Sequence, residues 1–249
     1  MRIAVAGGTG LVGRHVVEAL GAAGHQPVVL ARSTGVDLGT GAGLDGALDG
    51  VGSIIDVSNV TTLRRGPAVR FFETAGRHLG AAAERAGVAH LAVLSIVGVD
   101  RVDLGYYEGK RRQEELVLAG PVPATVLRTT QFHEFADQTL ARSPGPVALV
   151  PRMRSRTVSA AEVGQALAEL ASGPPQGRAT DLAGPEEHDL PDLCRRVVRA
   201  RRLRRRVVGV RMPGAGGTAM AGGALLPVGQ HDVGRVTFDD WLAAAVARD

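Results

Sequence analysis

The stretch "VAGGTGLVG", residues 5–13, decides how the rest of this chain is read. A short apolar run, "RIAVA" at 2–6, leads into it. A helical pattern leaves it, with Leu11, Val12, Val16, Val17 and Leu20 at three- and four-residue spacing. The glycines fit two overlapping patterns, Gly7-x-x-Gly10-x-x-Gly13 and Gly8-x-Gly10-x-x-Gly13. Between a strand and a helix, such glycines suit a diphosphate: Gly7 and Gly8 permit the tight turn, and Gly10 lets the backbone come close to the ligand. Gly13 lets the helix lie against the strand, and the helix N-terminus offers free N–H groups to the phosphates. Gly7, Gly8, Thr9, Gly10, Leu11, Val12 and Gly13 are therefore the expected cradle of a dinucleotide. The plain alternative is a strand-to-helix turn that binds nothing.

Working outward, strands and helices alternate. The strands are expected at 2–6, 27–31, 53–58 ("SIIDVS"), 90–95 ("HLAVLS") and 124–129 ("ATVLRT"). Between them come the helix at 10–24, a short helical turn in "GLDGALDG", a long helix from Pro67 to Ala86 closed by Gly87, and a helix over 106–119. The strands are near-continuous apolar runs, as in a parallel sheet covered on both faces. The fold class expected is α/β, a doubly wound parallel sheet with right-handed crossovers, whose ligands sit at the carboxyl ends of the strands. The second half is less regular. It reads as helices near 133–141, in "SAAEVGQALAELA", near 191–201 and in "FDDWLAAAVA", with strands "PVALV", "ATDLAG" and an Arg-Val run. No linker separates the halves, so one domain is expected: a core over 1–130 and a smaller substrate lobe over 131–249.

Composition narrows the class. A hydrophobic content of 45% with 34 glycines and 3% aromatics suits a Val/Ala/Leu-built α/β protein and excludes a disordered chain. The single Cys194 rules out an internal disulfide framework and reads as a small buried apolar residue. The opening "MRIAVAGG" has too short an apolar run for a signal peptide, and "LAVLSIVGV" is half a membrane span, so a soluble cytoplasmic protein is expected. The net charge of +4 gathers in "RRVVRARRLRRRVVGVR", Arg195 to Arg211. With almost no aromatic residue interleaved, this reads as a solvated helix face and a strand with outward arginines, Val207, Val208 and Val210 pointing inward. Neither a nucleic-acid nor a membrane partner is expected.

Cofactor choice is read where the second strand ends, in "VVLARS". No acid stands there to accept from a ribose 2′-hydroxyl, and Arg32 suits a 2′-phosphate. Arg14 would add a second cation. NADPH is expected over NADH; the alternative makes Arg32 an ordinary loop residue.

These residues resemble the short-chain dehydrogenase/reductase superfamily, in its atypical, NmrA-like NAD(P)-binding branch. The segments that carry the likeness are "GGTGLVG" at 7–13, "VDL" at 36–38, "DVSN" at 56–59, "LSIVGVD" at 94–100, "YYEGK" at 106–110, "LRTTQFHEF" at 127–135 and "LAGPEEHDL" at 182–190. The resemblance implies that Asp37 and Leu38 flank the adenine and that Ser58 and Asn59 line the path to the nicotinamide ribose. It places Thr129, Thr130, Gln131 and Phe132 beside nicotinamide and substrate. The superfamily's usual Asn-Asn-Ala-Gly segment is replaced here by "VSNVTT", which puts a proton relay through a catalytic asparagine in doubt.

Tyr106-x-x-x-Lys110 then reads as a proton-transfer pair, because residues four apart share a helix face. A nearby cation favours the phenolate of a tyrosine whose free pKa is about 10. Lys110 would also hold the nicotinamide ribose. Ser95, ending the fourth strand, would hold the substrate carbonyl, and His133 with Phe135 would line the substrate pocket. Against this stand three alternatives: Tyr107 takes the role, Ser95 faces the cofactor only, or the tyrosines merely pack while Lys110 pairs with Glu114. Three functions remain open: a reductase of a small ketone, aldehyde, enone or quinone; a non-catalytic NADP(H)-sensing regulator; and a non-redox cyclase or isomerase. No metal site is expected, and an oligomer is compatible with the sequence.

Overall fold

The computed structural model describes residues 1–248. The chain runs through β1 (Arg2–Ala6), α1 (Leu11–Ala22), β2 (Gln26–Leu30), α2 (Leu44–Ala47), β3 (Ser53–Asp56) and α3 (Arg65–Arg85). It continues with β4 (His90–Ile96), α4 (Gly105–Leu118), β5 (Ala124–Thr129), α5 (Phe135–Arg142), β6 (Val147–Pro151) and β7 (Arg154–Ser155). Then follow α6 (Ala160–Ser172), β8 (Gly177–Arg178), β9 (Leu182–Ala183), β10 (His188–Asp189) and α7 (Leu190–Ala200). The last elements are β11 (Arg206–Val210), α8 (Gly214–Ala221), β12 (Asp232–Val233) and α9 (Phe238–Val246).

The first of two compact units comprises residues 1–95, 104–128 and 161–180. Its sheet has the order β2-β1-β3-β4-β5, with β8 also paired to β5. β1 pairs in parallel with β2 on one side (Ala4 opposite Val28) and β3 on the other (Ala4 opposite Ile54), and β3 pairs in parallel with β4. The inner strands are apolar because both faces are covered: β3 is buried throughout and β4 as far as Ser95. One core cluster joins Ala4, Ala6, Leu30, Ile54, Leu79, Leu91 and Val93.

Glycines set how close the helices come. A Cβ on Gly13 of α1 would lie 2.1 Å from the Gly7 carbonyl oxygen, so only glycine lets α1 lie on the turn after β1. A Cβ on Gly164 of α6 would lie 2.8 Å from the His15 backbone, which fastens residues 161–180 to α1. Gly109 brings α4 onto α3, where a Cβ would meet Phe72 at 2.7 Å and the Ala68 backbone at 2.9 Å. α3 begins at Arg65, ahead of the expected Pro67, and ends where Gly87 turns left-handed at φ 67°.

The second unit comprises residues 96–103, 129–160 and, among the described residues, 181–248. Thr129, the last residue of β5, pairs with Leu182 of β9, and β12 pairs beside β9. β6 and β11 form a parallel pair, β7 and β10 an antiparallel one. Leu190, Leu193, Cys194 and Val197 of α7 are buried, as are Ala136 and Leu140 of α5 and Phe238 and Leu242 of α9.

Two expectations for this half need correction. "ATDLAG" forms a strand only at 182–183, because its leading residues are exposed or half-buried loop. In the Arg-Val strand only Val207 is fully inward, while Val208 and Val210 are half-buried, since a two-stranded sheet has little cover. No helix among the described residues is long and apolar enough to cross a membrane.

Candidate functional site

β1 is the strand from which the sheet is wound in both directions, so chains leave β1 and β3 toward opposite sides at their carboxyl ends. A crevice is expected at that switch point. Gly7 sits there with φ 79°, and a Cβ on it would lie 2.9 Å from the Ser58 backbone after β3. Gly7 and Gly13 are thus explained by packing inside the protein. Gly10 is not: its φ of −74° suits any residue, its surface is exposed, and a Cβ would lie 3.2 Å from the nearest atom, the Gly7 oxygen. The space it leaves faces outward.

Gly10 is also the N-cap of α1, with no side chain capping the first turn and no acid in it. The leading N–H groups of Leu11, Val12 and Gly13 have no carbonyl within the helix to bond, which leaves donors and the positive end of the helix dipole for an anion. Nearby, the Ser58 Oγ is buried yet bonds to nothing among the described residues. An outward gap, free donors and a waiting hydroxyl fit a diphosphate with a ribose beyond it.

Arg32 follows β2 in a single 3₁₀ turn, Arg32–Thr34, held by the Thr34 hydroxyl donating to the Val29 and Ala31 carbonyls. Its own side chain is exposed and makes no hydrogen bond or ion pair among the described residues. Arg14 donates to the Thr9 carbonyl at 3.1 Å, lying over the turn. The Asp37–Leu38 loop is pinned by His78 of α3, whose Nδ1 donates to the Leu38 carbonyl at 2.9 Å. One Asp37 oxygen accepts from Gly39 N within the same loop.

α4 carries the tyrosines. Tyr106 is half-buried and donates its phenol hydrogen to Asn59 Oδ1 at 2.8 Å, just beyond β3. Tyr107 points into the core, and burial, then the neighbouring Tyr106, push its phenol well above the usual range. The geometry therefore favours Tyr106 over Tyr107 for proton transfer. Lys110 is 4% exposed; it donates to the Leu94 carbonyl and to Gln113 Oε1, both at 2.9 Å. Its ammonium lies 4.6 Å from the centre of the Phe72 ring, and the same ring meets Tyr106 edge-on at 5.9 Å. Burial pushes the lysine down to about 8, against the opposing pull of Asp56 and Glu114.

Lys110 is the sole lysine in the chain, so the 29 basic residues comprise 28 arginines and this one ammonium. Residue counting alone signals it. An ammonium is a compact point charge whose pKa moves on burial, unlike the planar guanidinium of the other basic residues.

Other expected residues are placed differently. Ser95 donates its hydroxyl to Glu114 Oε1 at 2.5 Å, so its hydrogen is committed inside the protein rather than offered to a carbonyl. Glu114, 2% exposed, also takes two hydrogen bonds from Arg128 and one from Arg178. Burial opposes its charge, and the bonds from Arg128, Ser95 and Arg178 outweigh that and hold the carboxyl below its usual range.

In the second unit, Thr130 is buried with its hydroxyl donating to the Arg156 carbonyl, and Gln131 Oε1 accepts from Ser155 at 2.7 Å. Phe132 stays half-exposed. His133 is a correction: fully buried, it bonds Thr157 Oγ1 at 2.9 Å and the Val236 carbonyl at 3.1 Å, and stacks among Phe238 and Trp241. Burial pushes it down to about 4. It is a neutral structural histidine and does not line a pocket. No group of three or more His, Cys, Asp or Glu among the described residues is placed to hold a metal ion.

No family model matches the chain. A curated relative, the (4-alkanoyl-5-oxo-2,5-dihydrofuran-3-yl)methyl phosphate reductase of Streptomyces griseus, is 32% identical over 212 residues, covering 74% of this chain and 68% of that protein. Among solved structures, MoeE5 in complex with UDP-glucose and NAD matches with a TM-score of 0.77 at 17% identity, covering 99% of this chain and 98% of the other. An NADPH-dependent quinone oxidoreductase from Escherichia coli matches at 0.68 and 19% identity, covering 98% and 99%. At such identities the structures establish the fold; by name the first holds NAD and the second is NADPH-dependent.

Proposed function

The chain belongs to the short-chain dehydrogenase/reductase superfamily of NAD(P)-dependent oxidoreductases, and on that premise we propose that it reduces a small ketone, aldehyde, enone or quinone with Tyr106 as proton donor. The observation that carries this reading is the half-exposed Tyr106 phenol bonded to Asn59 at the end of β3, with the chain's sole lysine one turn along the same helix. The glycine turn, the first turn of α1 and Ser58 would hold the diphosphate and ribose; the bound nicotinamide supplies a hydride to the carbonyl carbon. Tyr106 gives its phenol hydrogen to the carbonyl oxygen, completing the alcohol, and recovers a proton from solvent along its exposed side. Lys110 stabilises the phenolate left behind, as a cation one helical turn away does.

Asn59, bonded to the phenol, orients it and takes the place that the missing Asn-Asn-Ala-Gly segment leaves open. Arg32, unengaged where β2 ends, favours NADPH through its 2′-phosphate. Of the second unit's candidates, Gln131 and Phe132 keep accessible surface and are assigned to substrate.

The test compares wild type with Tyr106→Phe for NADPH consumption across ketones, aldehydes, enones and quinones. The reading expects turnover to fall at least 100-fold with nucleotide affinity unchanged, on the order of what one general acid contributes. Equal turnover in both proteins removes Tyr106 from the chemistry. NADPH bound tightly by wild type and consumed with no substrate in the panel supports a redox-sensing regulator instead.

A further inference from the structure

We propose that Gln113 and Asp56 are positioning residues: a buried amide and carboxylate that fix Lys110 in place and keep it charged one turn from Tyr106. The inference rests on the reading of Tyr106 and Lys110 as the proton-transfer pair. Gln113 Oε1 accepts from Lys110 at 2.9 Å while its Nε2 donates to Asp56 Oδ2 at 2.8 Å. The other Asp56 oxygen accepts from the backbone N–H of Ser58 at 2.9 Å. Gln113 and Asp56 are each 1% exposed. An ammonium can only donate and a carboxylate only accept, so the neighbours dictate which way the amide points. The line of bonds thus joins the lysine of α4 to the end of β3, where Ser58 abuts Gly7 of the phosphate turn.

The charges around Lys110 show why Asp56 matters. α3 offers it the face of Phe72, and β4 the Leu94 carbonyl. On its own helix stand Tyr106, Tyr107 and Glu114, and Glu114 is already engaged by Arg128 of β5 and Arg178 of β8. That leaves Asp56 of β3 as the carboxylate in this group with no arginine bound to it, its charge reaching the ammonium through one amide. A cation so thoroughly removed from water needs such a counterpart to remain protonated near neutral pH.

Because the chain has one lysine, protein grown with lysine carrying a ¹³C label at Cε gives a single side-chain signal, and its pH titration by NMR reads Lys110 alone. In wild type the midpoint is expected near 8. Gln113→Leu and Asp56→Asn should each lower it by about one pH unit or more, and shift the kcat profile with it while NADPH affinity changes little. Thr125→Val, a buried polar change elsewhere in the first unit, should lower stability and leave the lysine signal where it was. Midpoints unmoved in folded Gln113→Leu or Asp56→Asn overturn the proposal. If neither variant folds, a wild-type midpoint well below neutral pH, which would leave the lysine uncharged, overturns it as well. Shifted midpoints together with full activity of Tyr106→Phe would keep the positioning role and discard the proton-transfer reading.

Discussion

Arg32 shows what a single side chain decides. It stands one residue past β2 on a 3₁₀ turn braced by Thr34, so its backbone is fixed while its guanidinium is unengaged. A phosphate ester presents oxygens that a guanidinium pairs with bidentately; a ribose hydroxyl does not. Arg32→Ala should therefore weaken NADPH by about 10- to 100-fold and NADH by much less, as a charge-assisted hydrogen bond is worth roughly 1.5–3 kcal/mol. Fluorescence titration with both nucleotides checks this, and parallel losses would remove Arg32 from the cofactor argument. At this scale the sequence was legible where geometry follows spacing: Tyr106 and Lys110 meet the same Phe72 ring, and Gly7 and Gly13 stand where a Cβ would clash. It was silent on Gln113 with Asp56, which are 57 positions apart and meet only because α4 folds over β3. The misreading of His133 has a similar origin: nothing local reveals that Thr157 and Val236 will take both of its nitrogens.

Among elements, the contact between α3 and α4 governs the site, because Phe72 of one touches both Tyr106 and Lys110 of the other. Gly109 permits it. Gly109→Ala would gain up to about 1 kcal/mol in helix propensity and lose roughly 1–3 kcal/mol to overpacking, since the Ala68 backbone 2.9 Å away cannot yield as a side-chain tip can. Net destabilisation is expected in urea unfolding, with activity reduced as the adjacent Lys110 moves. Gly80→Ala, in α3 with no atom within 4 Å of the new methyl, should stabilise by up to about 1 kcal/mol and serves as the contrast.

The long elements could be read from sequence, because strands buried on both faces form apolar runs and amphipathic helices repeat. The two-residue strands β7, β8, β10 and β12 could not, since no periodicity exists over two residues. α8, "GAGGTAMA", looks like a loop. Its Gly217 is required because a Cβ there would sit 2.1 Å from the Met212 carbonyl oxygen.

Across the whole molecule the aromatic residues divide conveniently: the sole tryptophan, Trp241, lies in the second unit beside His133, and both tyrosines lie in the first. His133 is held neutral with its pKa lowered to about 4 from about 6.5. The unfolded chain therefore binds the extra proton first as pH falls, and the second unit loses stability between about 6.5 and 4, by about 3 kcal/mol in all. Trp241 emission should report this as an acid transition, and His133→Gln, which cannot charge, should move it to lower pH. An unchanged transition would show that other groups set the acid limit.

The sealed placement of Lys110 has a last consequence. Amine-directed acylating reagents find the ammonium of Lys110 closed off behind Phe72 and the Leu94 carbonyl in the native fold. Slow acylation of Lys110 would then be a clock for how often α4 breathes away from α3, read by peptide mass without any engineered probe.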